Sequence, residues 1–338
     1  MFESEIIKIP SLFVSKLRIR DARLGIDPQT ISVQDAQVLT ADLRKRGSKI
    51  VYPSHNFVDE IWDGRPAESN NPVFIHSIEF TGQYSTSPPV KTTEPLVIGQ
   101  DAQSKLQRLR EWMRDQGDDF DMFSDQPAAG TLITTLPEVA YLLNLRGSDI
   151  EFNPLFHAYL FVGPEKAVLF LNSVKAPPSV DTYLRDIGVE RREYDDVWDF
   201  LGSREWDGKG KVIISPQTSA AIARALDHST YIVLPAQVEI MKAIKNETEI
   251  KGLKRAYLRD GIRFTRFLAW LESQIKAGKE LTEWEAARKL DDYRASAKFY
   301  QGLASENISA TGPNAALPHY LPSQDRALVI GTDTPYLK

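Results

Sequence analysis

The chain has no cysteine among its 338 residues. Disulfides, zinc–thiolate centres and thiol nucleophiles are therefore excluded. Histidine is scarce, at His55, His76, His157, His228 and His319, and no two are spaced as a metal-binding pair on one helix. There is no His-Glu-x-x-His and no Gly-x-Ser-x-Gly. The glycine clusters "GTDTP" and "DGKGK" lack the strand–glycine–helix setting of a phosphate loop. No apolar run approaches the roughly 18 residues that cross a bilayer. The opening "MFESEIIKIPSL" has neither a basic start before an apolar stretch nor a small-residue cleavage site. A net charge of −5 gives no basic surplus for nucleic acid or an anionic membrane. The expectation is a soluble, cytoplasmic protein without nucleic-acid or membrane partners.

What is present is length, an ordinary apolar content and an internal echo. A chain of this size suits two or three domains. Near the start it reads "LGIDPQTISVQDAQVLTADL" and then "SKIVYPSHNFVDEIW". Later it reads "VIISPQTSAAIARAL" and then "TYIVLPAQVEIMKAI". Each copy is an apolar run ending in Pro-Gln-Thr, a helical stretch, and a second β-rich run closed by proline. Pro28 answers Pro216 and Pro53 answers Pro235 at a nearly constant offset, which predicts two related domains.

The second copy has a long upstream half that the first lacks. Leu106, Leu109 and Met113 fall at helical spacing. "TLPEVAYLLNLRG" predicts a helix with Thr135 and Glu138 as a capping box and Gly147 as its stop. "HAYLFVG" and "KAVLFLN" predict a hairpin around Gly163, Pro164 and Glu165. "SVDTYLRDIG" and "YDDVWDFLG" predict short helices, and the proline-rich 83–95 reads as a linker. From Lys245 the character changes. A long helix opens on Asn246 and Glu249, with Ile250, Leu253, Tyr257, Phe264, Phe267, Leu268 and Leu271 as its apolar side. A second helix opens on Thr282 and Glu285, and β-like segments follow in "ENISATGPNAALPHYLP" and "RALVIGTDTPYL".

By residue chemistry alone, candidates for function are few. His157, at the head of a strand, reads as structural; His55, His76 and His228 read as solvated. "NLRGSDIEFNPLF", residues 144–156, could wall a pocket or simply end a helix, and composition favours the latter. His319 follows a run of small residues stiffened by Pro313 and Pro318. It reads equally as a core residue or a functional group.

Taken together, "EVAYLLNLRGSDIEFNPLFHAYLFVG", "KAIKNETEIKGLKRAYLRDGIRFTRFLAWLE" and "ISATGPNAALPHYLP" resemble the eukaryotic cytosolic aminopeptidase P (Xaa-Pro aminopeptidase) family. Its members share the creatinase, or pita-bread, fold. The resemblance covers nearly all of residues 20–338 in order. It implies an α/β chain of two creatinase-type N-terminal domains, the first incomplete at 1–90 and the second at 98–240. The first part of an α+β pita-bread catalytic domain follows at 245–338. It also implies a metallo-exopeptidase that removes the residue preceding proline, using two manganese ions held by two aspartates, a histidine and two glutamates. His319 matches the family histidine that faces the scissile bond, binding substrate and moving a proton, without ligating metal. The first metal aspartate is expected beyond Lys338. Asp325 and Asp333 do not match it, so no metal ligand and no cofactor-binding residue is assigned here. The expected ligand of this chain is a peptide with proline second, it is not expected to bind the two ions or turn over by itself, and a homodimer stays open. The alternative is a non-catalytic creatinase-like protein that binds a peptide or partner. "GLASENIS" departs from the family pattern, since Glu306 would place a charge on a strand that is usually half-buried.

Overall fold

A computed structural model describes residues 20–67, 69–76, 99–119, 128–206 and 210–338. The 83–95 segment read as a linker and the first 19 residues lie outside the described residues. The described chain divides into two compact units. One takes in residues up to His76, Gln100–Asp149 and Leu155–Ile244; the other takes in Gly99, Ile150–Pro154 and Lys245–Lys338.

In the first unit, β1 (Arg23–Gly25), α1 (Val33–Arg44) and β2 (Lys49–Val51) form a βαβ unit with β1 and β2 parallel, followed by α2 (Phe57–Ile61) and β3 (Phe74–Ile75). Next come α3 (Ala102–Asp119), β4 (Gly130–Ile133), α4 (Leu136–Leu142), β5 (Leu145–Arg146), β6 (Tyr159–Val162) and β7 (Ala167–Phe170). Then follow α5 (Pro178–Asp186), β8 (Val189–Arg192), α6 (Asp196–Ser203), β9 (Val212–Ile214), α7 (Ala220–Leu226), β10 (Tyr231–Val233) and α8 (Gln237–Ala243). A mixed sheet runs β10-β9-β4-β6-β7-β8, with β6 and β7 as the predicted hairpin closed by Gly163 N–H donating to Lys166 O at 2.8 Å. Alternate side chains go to opposite faces, as the strand period of two requires. Ile133, Leu160, Val162, Leu169 and Ile213 pack with α3, α4, α5 and α8, while Leu132, Phe161, Val168, Phe170 and Ile214 pack with α6 and α7. Both faces are covered, so these strands read as unbroken apolar runs.

The echo in the sequence becomes a reciprocal contact. Pro28 and Pro216 each stand between a parallel strand and a helix. The first N–H groups of a helix have no partner within it. Here each helix finds partners on the other repeat: Val33 N–H donates to Thr218 O (2.7 Å) and Gln34 N–H to Pro216 O (3.3 Å). In return, Ala220 N–H donates to Ile31 O (2.8 Å) and Ala221 N–H to Pro28 O (2.9 Å). The third N–H of each helix goes to its own serine, Asp35 to Ser32 and Ile222 to Ser219. The two helix starts cap one another.

Two details differ from expectation. Thr135 sits at the N-cap of α4, but its hydroxyl makes no capping bond. Gly147 is not the helix stop: α4 ends at Leu142, and Asn144 takes the left-handed conformation at φ 51°. Asparagine tolerates that region because its short side chain bonds locally. Gly147 answers a different need, since a Cβ there would lie 2.6 Å from the Phe156 Cβ.

The second unit holds α9 (Glu247–Lys276), α10 (Glu283–Ala295), β11 (Ala310–Thr311) and β12 (Tyr336–Leu337). Both predicted capping boxes are complete, Asn246 with Glu249 and Thr282 with Glu285. The predicted apolar side of α9 is mostly not buried. Only Phe267 and Leu271 are, joining Ala286, Leu290 and Ile330 in a small core, while Ile250, Leu253 and Tyr257 are exposed. The β-like segments shrink to the two-residue antiparallel pair β11–β12, and Val329 makes a single bridge to Thr282.

Candidate functional site

The capping box at Thr282 fixes the start of α10 and places Glu283 at its first helical position, where a carboxylate is favoured by the helix dipole. The side chain turns inward and is fully buried. Its Oε1 accepts from Thr311 N–H at 2.6 Å and from the Asn314 amide at 3.3 Å. Oε2 accepts from the same amide at 2.9 Å, from the Tyr320 hydroxyl at 2.7 Å and from Leu328 N–H at 3.0 Å. The Asn314 amide also donates to the Tyr320 hydroxyl at 3.0 Å. The main chain of Glu283 adds two more ties: its N–H donates to Leu328 O at 2.9 Å, and its carbonyl accepts from the Ser309 hydroxyl at 2.6 Å.

The N–H of Thr311, in β11, and that of Leu328 are thus both taken by one carboxylate. Burial alone would raise the Glu283 carboxyl, but donation from Tyr320, Leu328, Thr311 and Asn314 outweighs it and holds the group below its usual range. Tyr320 moves the other way. Burial and its bond to the Glu283 carboxylate push its phenol up to about 12.

His319 stands between these anchored residues. It is exposed, and its backbone is left-handed at φ 59°. For an L-residue that region costs roughly 1–2 kcal/mol, so the surroundings must impose it. The result is a solvent-facing imidazole on a loop whose buried side is fixed.

The other sequence candidates are elsewhere. Asp325 is exposed beside Arg326, and Asp333 is exposed. Among the described residues, no group of three or more His, Cys, Asp or Glu side chains is placed to hold a metal ion. Glu306 carries no burial cost, because its segment is not a strand and the side chain is exposed. Residues 146–149 brace the first unit. Arg146 donates to the carbonyls of Ala140 and Leu145, and Asp149 is buried against Lys175 at 2.5 Å, with the half-exposed His157 at 3.2 Å. Burial opposes the Asp149 charge, but bonds from Lys175 and His157 N–H keep its carboxyl low. Sequence reasoning missed Glu283. Its donors lie 28 to 45 residues downstream, and no local pattern marks it.

With the geometry in place, comparisons define the class. The Creatinase/Prolidase N-terminal domain profile matches residues 85–249, and the Metallopeptidase family M24 profile matches residues 232–337. The fold is therefore α/β, with a creatinase-type N-terminal part followed by an M24 pita-bread part. Two fungal proteins named "Probable Xaa-Pro aminopeptidase P" are similar. The one from Laccaria bicolor is 33% identical over 93% of this chain and 45% of its own length, and the one from Coprinopsis cinerea is 34% identical over 96% and 50%. The X-prolyl aminopeptidase of Caenorhabditis elegans, described as a cytosolic enzyme with a di-nuclear active site, superposes with a TM-score of 0.84 at 28% identity, covering 97% of this chain and 50% of that one. The chain belongs to the Xaa-Pro aminopeptidase family of M24 proteins, and it spans about half the length of these relatives.

Proposed function

We propose that this chain engages the substrate of an Xaa-Pro aminopeptidase, a peptide with proline second, through His319, and that it does not cleave the peptide by itself. The observation that carries this reading is the braced loop, which offers an exposed imidazole from a stretch within the M24 match. Near neutral pH an imidazole can donate or accept a hydrogen bond, which suits peptide binding beside a scissile bond.

Hydrolysis by a metal pair requires several carboxylate and imidazole ligands converging on each ion. The described residues offer no such group. They do not fit the manganese pair that the resemblance implies, and no step is assigned to it. The same reading divides the chain at 1–90, 98–240 and 245–338, the first two on the ground that Pro28 and Pro216 each stand between a parallel strand and a helix. It places the protein in the cytoplasm, as described for the nematode relative.

The test is an assay of the purified chain with manganese and the tripeptide Ala-Pro-Ala. No release of alanine above a His319→Ala control is expected. Release clearly above that control overturns the reading.

A further inference from the structure

We infer that Glu283 is the positioning residue of this site: its buried carboxylate sets the backbone of residues 311–320 and thereby the direction in which His319 is presented. The inference rests on the reading of His319 as the substrate-facing group.

Three features of the geometry point this way. First, the donors bracket His319 along the chain, with Thr311 and Asn314 before it, Tyr320 directly after it and Leu328 beyond. The loop is wrapped around one anion. Secondly, no lysine or arginine is paired with Glu283 among the described residues. The charge is met by neutral donors alone, so its stabilisation depends on where those donors are held. That is the property of a template, whereas a surface ion pair would tolerate drift. Thirdly, His319 holds a left-handed backbone that a non-glycine residue keeps only where its neighbours fix it. Of its two chain neighbours, Tyr320 is tied directly to the Glu283 carboxylate.

The chemistry also explains why the group must be a carboxylate. Both of its oxygens only accept: Oε1 faces Thr311 N–H, and Oε2 faces Leu328 N–H. A glutamine amide has one acceptor and one donor end. Whichever way it is turned, its NH2 group meets one of those backbone N–H groups, and a buried donor is left without a partner. Glu283→Gln is almost unchanged in size but cannot reproduce the knot.

The experiment uses the whole chain with isotope-labelled histidine, whose five imidazoles are few enough to resolve, and His319→Ala to assign the signal. In Glu283→Gln, the His319 imidazole signal should shift or broaden. Its amide-to-Hα coupling should leave the left-handed value, while the His157 signal in the first unit stays in place. A merely structural loss would move melting temperature without singling out His319. Should Glu283→Gln fail to fold, Tyr320→Phe removes one donor and keeps the anion; it should shift the same signal in the same direction by less. An unchanged His319 signal and coupling in a folded variant overturns the inference.

Titration with Ala-Pro-Ala separates the two readings. If the peptide perturbs His319 in the parent chain, its affinity should fall at least about tenfold in Glu283→Gln. If it does not perturb His319 in the parent chain, the functional reading fails. The coupling measurement still decides the role of Glu283.

Discussion

Strands β6 and β7 and helix α9 cover their apolar side chains to very different extents. In the first unit, β7 is wholly buried, with its alternate side chains taken up by helices on both faces. In the second unit, α9 runs for 30 residues, yet only Phe267 and Leu271 are buried. Tyr257 and Leu258 on the same helix are 78% and 67% exposed. Both elements form as their sequences predict. Forming and being covered are separate events. A helix closes its hydrogen bonds within itself and needs only good ends, which the Asn246–Glu249 box supplies. A strand has no internal bonds, so its existence already implies neighbours.

Hydrogen exchange should show the contrast at its largest. Amides of Phe161 and Val168 should exchange only through global opening of the first unit. Those between Ile250 and Ile262 should open locally and exchange faster by on the order of a thousandfold. Slow exchange at Ile262 in a confirmed monomer would erase the distinction, because it would mean that the exposed face is protected after all.

Substitution gives a smaller and sharper version. Phe267→Ala empties the centre of the second unit's core and should cost about 3–5 kcal/mol, read as loss of the second unit's urea transition at unchanged first-unit signal. Leu258→Ala, on the same helix but exposed, should stay within about 0.5 kcal/mol. Equal costs would show that α9 is packed along its whole length.

The subtlest difference lies in two buried carboxylates. Glu138 in the first unit is raised by burial, helped by nearby Glu239 and opposed by Thr135 and Lys242. Glu283 in the second is held below the ordinary value of 4.5. Their linkage has opposite sign. The contribution of Glu283 is complete above 4.5 and is lost as pH falls through its lowered native value. That of Glu138 is complete below 4.5 and is lost as pH rises through its raised native value. Carboxyl carbon titrations should place the two midpoints on opposite sides of 4.5, and a shared midpoint would contradict the environments described here.

These cases show where the sequence was readable. Helix ends at Asn246 and Thr282, the β6–β7 hairpin and the paired Pro-Gln-Thr segments are local signals, and the structure contains each of them. The resemblance singled out His319, and the structure gives that residue a fixed, exposed setting. What supports it was not readable. Glu283 looks like an ordinary first-turn glutamate, since carboxylates are common there for reasons of the helix dipole alone. Only the fold brings Thr311, Asn314, Tyr320 and Leu328 to it. The segments after residue 304 were read as β-like because their residues suit strands; only the two-residue pair β11–β12 forms there, and the Glu283 carboxylate takes the N–H groups of Thr311 and Leu328.

The mutual capping of α1 and α7 carries a consequence of its own. Each helix start offers two bare N–H groups beside two carbonyls, and the set offered by one matches the set required by the other. Such a surface is self-complementary, the condition for an isologous two-fold contact. Either βαβ unit, parted from its companion, would present a face suited to a second copy of itself. The contact that joins two stretches of one polypeptide is therefore also the seam along which two separate single-repeat chains could pair.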